Sequence, residues 1–206
     1  IATVYALPAA SPAAKWTAIL DTFNGFAGRL LEVNQEVYRS ESETNQSNHG
    51  IAMLLNAYEV IKGNPVEALD LYTRECSVNV TARDLATMGA TLANGGKNPL
   101  TGQQVVSSEV AQRVLAVMAT TGLYETTGQW LYHVGVPAKS GVGGGIVAVV
   151  PGRFAIGTFA PPLDEAGNSV RGQKSIQKLI EELGGNVFAS TPQTQQGKPA
   201  AKGGTP

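Results

Sequence analysis

The hydrophobic period of this chain changes once, near Trp130, and that change limits the folds open to it. Before it, apolar residues recur three and four apart, as they do along one face of a helix. Trp16, Ile19, Leu20, Phe23 and Ala27 form such a stripe behind Ser11 and Pro12, an N-cap and a first-turn proline. From 130 to 160 the helical pattern is lost. Short β-branched and aromatic runs at 134–139, 146–150 and 153–159 predict strands, with Pro151-Gly152 as a tight antiparallel turn. The 146–150 run is apolar on both sides, so it should be covered on both faces. One cover is at hand over 173–183, where Ile176, Leu179, Ile180 and Leu183 recur at helical spacing before Gly184-Gly185. The expected fold class is α+β, with a mainly helical part over 1–129 and antiparallel strands plus a C-terminal helix over 130–188. Residues 189–206 hold no apolar side chain larger than Ala and read as a disordered tail.

Within the helical part, 48–62 predicts a helix with Ile51, Leu54, Leu55, Tyr58 and Ile61 inward and Gly63 as its stop. Asn64-Pro65 restarts the chain into a helix carrying Leu69, Tyr72 and Cys76. Thr81 and Asp84 make a capping box with Asp in the Glu position, ahead of Leu85, Met88 and Leu92. Ser107 or Ser108 caps a further helix whose expected buried face is Val110, Val114, Val117 and Met118.

A net charge of −1 gives no positive sheath to hold nucleic acid or an anionic membrane. The single Cys excludes an intramolecular disulfide scaffold, and no apolar run approaches the ~18 residues of a spanning helix. His49 and His133 have no second ligand at a metal-like spacing. Cys76, beside an apolar helix face, reads as core rather than nucleophile. Residues 38–45 pack charge and amides without hydrophobic period: a solvated loop, or a carboxylate, Glu41, poised for a substrate ammonium.

Lys139-Ser140-Gly141 ends a strand and runs into Gly143-Gly144-Gly145. A Lys–Ser/Thr–Gly triplet on a strand is the third element of serine acyl-transfer enzymes with a penicillin-recognising fold. Gly admits a substrate to the strand backbone, whose N–H stabilises an oxyanion, while Lys and Ser supply charge and hydrogen bonds. Such an enzyme also needs a Ser-x-x-Lys. The match at Ser175-Ile176-Gln177-Lys178 follows the strand inside the C-terminal helix, and its register leaves Lys178 in solvent. Ser77-Val78-Asn79 imitates the Ser-x-Asn second motif, and a cap or turn between helices explains it equally well.

Five segments taken together resemble the serine-dependent glutaminase family: 37–43 with Asn48, 69–77, 119–124, 135–145 and 164–169. The resemblance covers about residues 1–188. It implies a β-lactamase/DD-peptidase-like fold that hydrolyses L-glutamine to L-glutamate and ammonia through an acyl-enzyme, with no metal or organic cofactor. It also implies a cytoplasmic homo-oligomer, commonly a tetramer, with no nucleic-acid or membrane partner. By resemblance Glu41 and Asn48 contact the bound amino acid, Tyr72 and Tyr124 line the reacting centre, and the main chain at Val142 contributes the oxyanion pocket. Lys139 and Ser140 complete the expected catalytic set. The family's Ser-x-x-Lys, an upstream Tyr and an Asn-Ala-Gly-Ala segment belong N-terminal to Ile1, and Ile1-Ala2-Thr3 reads as the continuation of that segment. The chain is therefore expected to be the C-terminal part of the domain, without its nucleophile and inactive alone. The rival readings are a β-lactamase or peptidoglycan-peptidase-like hydrolase, which Glu41 and Asn48 argue against, and a non-catalytic binding or assembly module.

Overall fold

The Ser11 hydroxyl accepts from the Ala14 N–H, and Pro12 takes the first helical position, so α1 (Pro12–Ala27) starts where the sequence places it. The computed structural model describes residues 1, 3, 6, 7 and 11–190, so the expected tail lies outside the described residues except for Ala189 and Ser190. After α1 come α2 (Gln35–Thr44), α3 (Gln46–Ala57), α4 (Pro65–Cys76), α5 (Ala82–Ala93), α6 (Ser108–Thr121) and α7 (Thr127–Val134). Strands β1 (Ala138–Ser140), β2 (Gly145–Val150) and β3 (Phe154–Phe159) follow, and then α8 (Val170–Leu183). Side-chain caps predicted at Thr81 and Asp84 are both made, and Ser107, rather than Ser108, caps α6.

Four local expectations are corrected. Residues 35–44 are helix, not loop, because Asn34 caps them by accepting from the N–H groups of Glu36 and Val37, and tertiary contacts then hold a polar helix. Helix α3 stops at Ala57. Glu59 turns to φ 57°, the Val60 N–H reaches back to the Leu55 carbonyl, and Ile61 is buried by that loop. The α6 face is rotated: Ala111, Leu115 and Met118 are buried, while Val110, Val114 and Val117 face outward. Finally, 127–134 is helix, ended by Gly135, and its Trp130 indole N–H donates to the Val136 carbonyl at 2.8 Å.

The sheet has order β1-β2-β3, antiparallel throughout. The period-2 alternation of β2 sends Ile146, Ala148 and Val150 to one side, where they pack with Trp130, Ile176 and Ile180 of α7 and α8. Val147 and Val149 go to the other side, against Leu115 and Met118 of α6 and Leu92 of α5. Both faces are thus covered, as the apolar run required. The β-lactamase/DD-peptidase-like fragment expected from sequence is corrected to a mostly helical α+β fold with a small open sheet of three strands among the described residues. Eight described helices outweigh that sheet, and they form both of its covers.

Helix α5 sits on the sheet backbone itself. A Cβ on Gly157 of β3 would lie 2.2 Å from the Ala82 carbonyl oxygen and 2.5 Å from the Ala86 nitrogen. The start of α5 is fixed a second way. The Asp84 carboxylate, 5% exposed, accepts from Arg29 Nε at 2.8 Å, from Arg29 NH2 at 2.6 Å and from the Thr81 N–H at 2.7 Å. The hydrogen-bonded Arg29 guanidinium, reinforced by Thr81, holds the Asp84 carboxyl well below the usual carboxylate range.

Two outcomes follow from this packing. Gly157→Ala should destabilise the protein by about 1–3 kcal/mol, since the added carbon meets backbone that cannot swing aside. Gly50→Ala, on an α3 site with nothing within 4 Å, should stabilise it by about 0.5–1 kcal/mol. Denaturant midpoints at constant slope check both. A carboxyl whose pKa is depressed by folding contributes stability above its unfolded value of about 3.9, lost as pH falls through the folded value. Denaturation midpoints of wild type should therefore fall more steeply from pH 5 to pH 2 than those of Asp84→Asn.

Candidate active site

The β1–β2 register decides which way the Lys-Ser-Gly triplet faces. Lys139 lies opposite Val147 and Ser140 opposite Ile146, so Lys139 shares the α5 side of the sheet and Ser140 the buried α8 side. Val147 lines an open groove of about 610 Å³ with Lys139, Gly141, Gly143, Leu85 and Cys76. Its far wall is the end of α4 and the start of α5, through Ser77, Asn79 and Thr81. The hairpin tip closes as a four-residue turn, in which the Gly144 N–H donates to the Gly141 carbonyl at 2.9 Å. Gly144 needs its freedom there, with φ 94°. Val142, at the tip, is 67% exposed.

Lys139 Nζ stands 4.9 Å from the centre of the Tyr124 ring and donates to the Ser140 carbonyl. Burial pulls the Lys139 pKa below its ordinary value. Tyr124 opens a 3₁₀ turn (Tyr124–Thr126) with φ 52°, a left-handed conformation uncommon for an aromatic residue. Burial raises its pKa, with help from Cys76 and Glu125. Tyr72, one turn before Cys76 on α4, is pushed up to about 12, first by burial and then by the neighbouring Cys76. Tyr72 and Asn48 border a second hollow of about 360 Å³ with Ile51 and Leu55. Cys76 joins the two spaces, since it lines the groove and lies close to Tyr72. Glu41 is exposed on α2, near enough to help raise the Cys76 thiol.

Helix α2 presents Glu41 because Tyr38, three residues earlier, is anchored. Its hydroxyl donates to the Asp70 carboxylate, and the Arg74 guanidinium lies 5.6 Å from its ring centre and 5.9 Å from that of Trp16. Tyr38, Asp70 and Arg74 thus tie α2 to α4.

The structure therefore gathers Tyr72, Tyr124, Lys139 and Glu41 about one region, with Asn48 beyond Tyr72 and Val142 at the hairpin tip. Ser140 is placed otherwise. It borders the groove, yet it is 3% exposed and its hydroxyl donates inward to Asn168 Oδ1 at 2.5 Å, so alternation along β1 turns that hydroxyl away. Cys76 is corrected from core to site wall, because α4 ends there and leaves the residue exposed. Ser77-Val78-Asn79 is the helix exit that the alternative reading gave. The Ser77 hydroxyl donates to the Thr73 carbonyl at 2.8 Å, although Asn79 does reach the groove. Ser175 is exposed on α8 and Lys178 pairs with Glu182 in solvent. Asn168, fully buried behind β1, carried no sequence signal beyond its place in the 164–169 segment. Among the described residues no His, Cys, Asp and Glu group has metal-site geometry, and no helix is long and apolar enough to cross a membrane.

A thiol raised by burial keeps more of its proton at neutral pH, and the thiolate is the reactive form. Cys76 is the single cysteine, so alkylation reads it directly. Iodoacetamide labelling at pH 7 should be slower than that of a free cysteine peptide. The midpoint of its pH–rate curve should lie above the peptide's.

A model of the glutaminase family matches residues 1–188. Glutaminase 2 of Yersinia pestis is 53% identical over 196 residues, which are 95% of this chain and 58% of that protein. A glutaminase of Colwellia psychrerythraea is 52% identical over 188 residues, 91% of this chain and 60% of its own length. The solved structure of a probable glutaminase, ybaS, has a TM-score of 0.90 at 46% identity and covers 92% of this chain and 61% of its own. The Bacillus subtilis glutaminase YbgJ, solved as a covalent complex with 5-oxo-L-norleucine formed from 6-diazo-5-oxo-L-norleucine, gives 0.87 at 33% identity over 91% and 67%. These likenesses are to glutaminase structures, in line with the corrected fold class. The chain spans about 60% of the length of the curated relatives it matches. Matches run through 91 to 95% of the chain, so the expectation of a remnant is corrected to a chain that the family matches along nearly all of its given length.

Proposed function

Because the chain belongs to the glutaminase family, we propose that the protein hydrolyses the side-chain amide of L-glutamine, releasing L-glutamate and ammonia through a serine acyl-enzyme. The observation that carries this reading is that Lys139 and Cys76 line one groove, with Tyr124 against Lys139 and with Tyr72 and Glu41 close to Cys76. An amino-acid substrate needs paired polar anchors for its head group, and Glu41 with Asn48 supplies a carboxylate and an amide. In an acyl-enzyme route of this kind a serine oxygen attacks the amide carbon, ammonia leaves with a proton, and water then breaks the ester, returning the serine proton. The main chain at Val142, an exposed residue at the hairpin tip, is suited to hold the oxyanion formed in both steps. Tyr72 stays protonated at neutral pH and serves as a hydrogen-bond donor, and Tyr124, beside Lys139, is placed to pass a proton. Ser140 acts from behind the strand. The Bacillus subtilis relative forms a covalent complex by reaction with 6-diazo-5-oxo-L-norleucine, which supports a nucleophile that attacks a glutamine-like electrophile.

Ile51, Met53 and Leu54 of α3 and Tyr58 just after it are exposed, which supports assembly as a homo-oligomer, with a cytoplasmic homotetramer as the specific proposal. Light scattering that returns a monomer at working concentration would overturn the tetramer.

Assays with glutamine, asparagine and a chromogenic β-lactam separate this reading from its hydrolase rival, and no ammonia from glutamine would refute it. Removing a hydroxyl that transfers protons costs about 10²–10⁴ in rate with the fold retained. Tyr124→Phe should accordingly lower kcat at least ~100-fold, and Tyr72→Phe somewhat less. Full turnover by Tyr124→Phe at saturating glutamine would return the proton-transfer role to Tyr72 or Lys139.

A further inference from the structure

Tyr124 holds a left-handed backbone without being Gly, Asn or Asp, and such conformations persist only where the surroundings over-determine them. Part of the restraint is local. The Leu123 N–H donates to Thr127 Oγ1 at 2.9 Å, and that hydroxyl donates to the Tyr124 carbonyl at 2.8 Å. The Thr126 N–H and hydroxyl both donate to the Leu123 carbonyl, at 3.1 and 2.9 Å. The rest comes from far along the chain. Asn168 Nδ2 donates to Thr126 Oγ1 at 3.0 Å and to the Leu123 carbonyl at 3.4 Å, while its Oδ1 accepts from Ser140 Oγ at 2.5 Å. A carbonyl only accepts, so the Leu123 contact fixes which end of the amide is nitrogen, and Ser140 must then be the donor. Asn168 is itself pinned, because its N–H donates to Asp164 Oδ1 at 2.9 Å.

This one buried carboxamide therefore touches both halves of the ring–ammonium pair. On one side is the turn that carries Tyr124, and on the other is Ser140, whose neighbour is Lys139. A second link, from the Ser140 N–H to the Gly122 carbonyl at 3.1 Å, runs beside it. We propose that Asn168 is a positioning residue for the reaction: its carboxamide bolts the 122–126 turn to β1 and so holds the Tyr124 ring under the Lys139 ammonium. The inference rests on the glutamine-hydrolysis reading for its consequence and on geometry alone for the bolt. Displacing a reacting group by about 1 Å costs on the order of 10²-fold in rate. Substrate anchored by Glu41 and Asn48, on α2 and α3, is bound by elements the bolt does not touch. Loss of Asn168 therefore lowers kcat and spares KM.

The test uses Asn168→Asp, which keeps the shape and loses the two-donor amide, beside Thr126→Val and Thr126→Ser. Asn168→Asp should lower kcat about 100-fold with KM within about threefold of wild type. Thr126→Val should lower kcat about 10-fold, and Thr126→Ser, which keeps the hydroxyl, should restore it. Amide hydrogen exchange should quicken at Leu123 and Thr126 in Asn168→Asp and Thr126→Val while β2 and β3 stay protected. Exchange that rises alike across β2 and β3 in both variants would assign Asn168 to general stability and overturn the proposal. So would a kcat for Asn168→Asp within threefold of wild type, or equal losses in Thr126→Val and Thr126→Ser. If wild type releases no ammonia from glutamine, the hydrolase reading fails by itself, and the exchange pattern still decides whether the bolt exists.

Discussion

The contact between α5 and the backbone of β3 sets the geometry of the rest. Only a residue without Cβ at position 157 lets Ala82 and Ala86 approach so closely, and Gly89 of α5 in turn leaves room for the Val147 and Ala155 side chains of the sheet. With α5 at that depth, its N-terminal end and the preceding residues 76–81 stand beside the β1–β2 hairpin, and the space between them is the groove. Asp84 closes the same corner from the other side by tying the helix start to Arg29 at the exit of α1.

The site is built from opposite tendencies. The groove face of β1 carries a charged lysine half taken from water against an aromatic ring, and its back face carries a hydroxyl held in a dry network. Strand alternation separates the two with no extra device, since successive residues point to opposite faces. Burial dominates the shifts of Tyr72, Tyr124 and Lys139, and each moves toward its neutral form. Tyr72, at about 12, and Lys139, below its ordinary value, sit further apart in proton affinity than their free counterparts, so the lysine gives up its proton before Tyr72 does.

Much of the framework was legible before any coordinates. Ser11-Pro12, Asn64-Pro65, Thr81 with Asp84, and Pro151-Gly152 act through bonds within four residues, so the local chain suffices to read them. The two-sided apolar run at 146–150 likewise announced its two covers. The misreadings share a cause. Helix α2 has almost no apolar period of its own and depends on Tyr38 meeting Asp70 and Arg74 of another helix. The α6 stripe was assigned to three valines and Met118, whereas the packed helix buries Ala111 and Leu115 with Met118, the last two against Val149 of β2.

What the sequence determined by itself was the set of elements with their caps, the coverage of the central strand and the family resemblance, because these rest on short-range bonds and on patterns of residue type. The tertiary structure alone decided that Lys139 faces the groove while Ser140 turns inward. It also made Cys76 a wall of the site and brought Asn168 to the turn that carries Tyr124. Those outcomes depend on pairing register and on contacts between residues 28 to 45 positions apart. Periodicity along one segment carries no information about which distant segment will complete it.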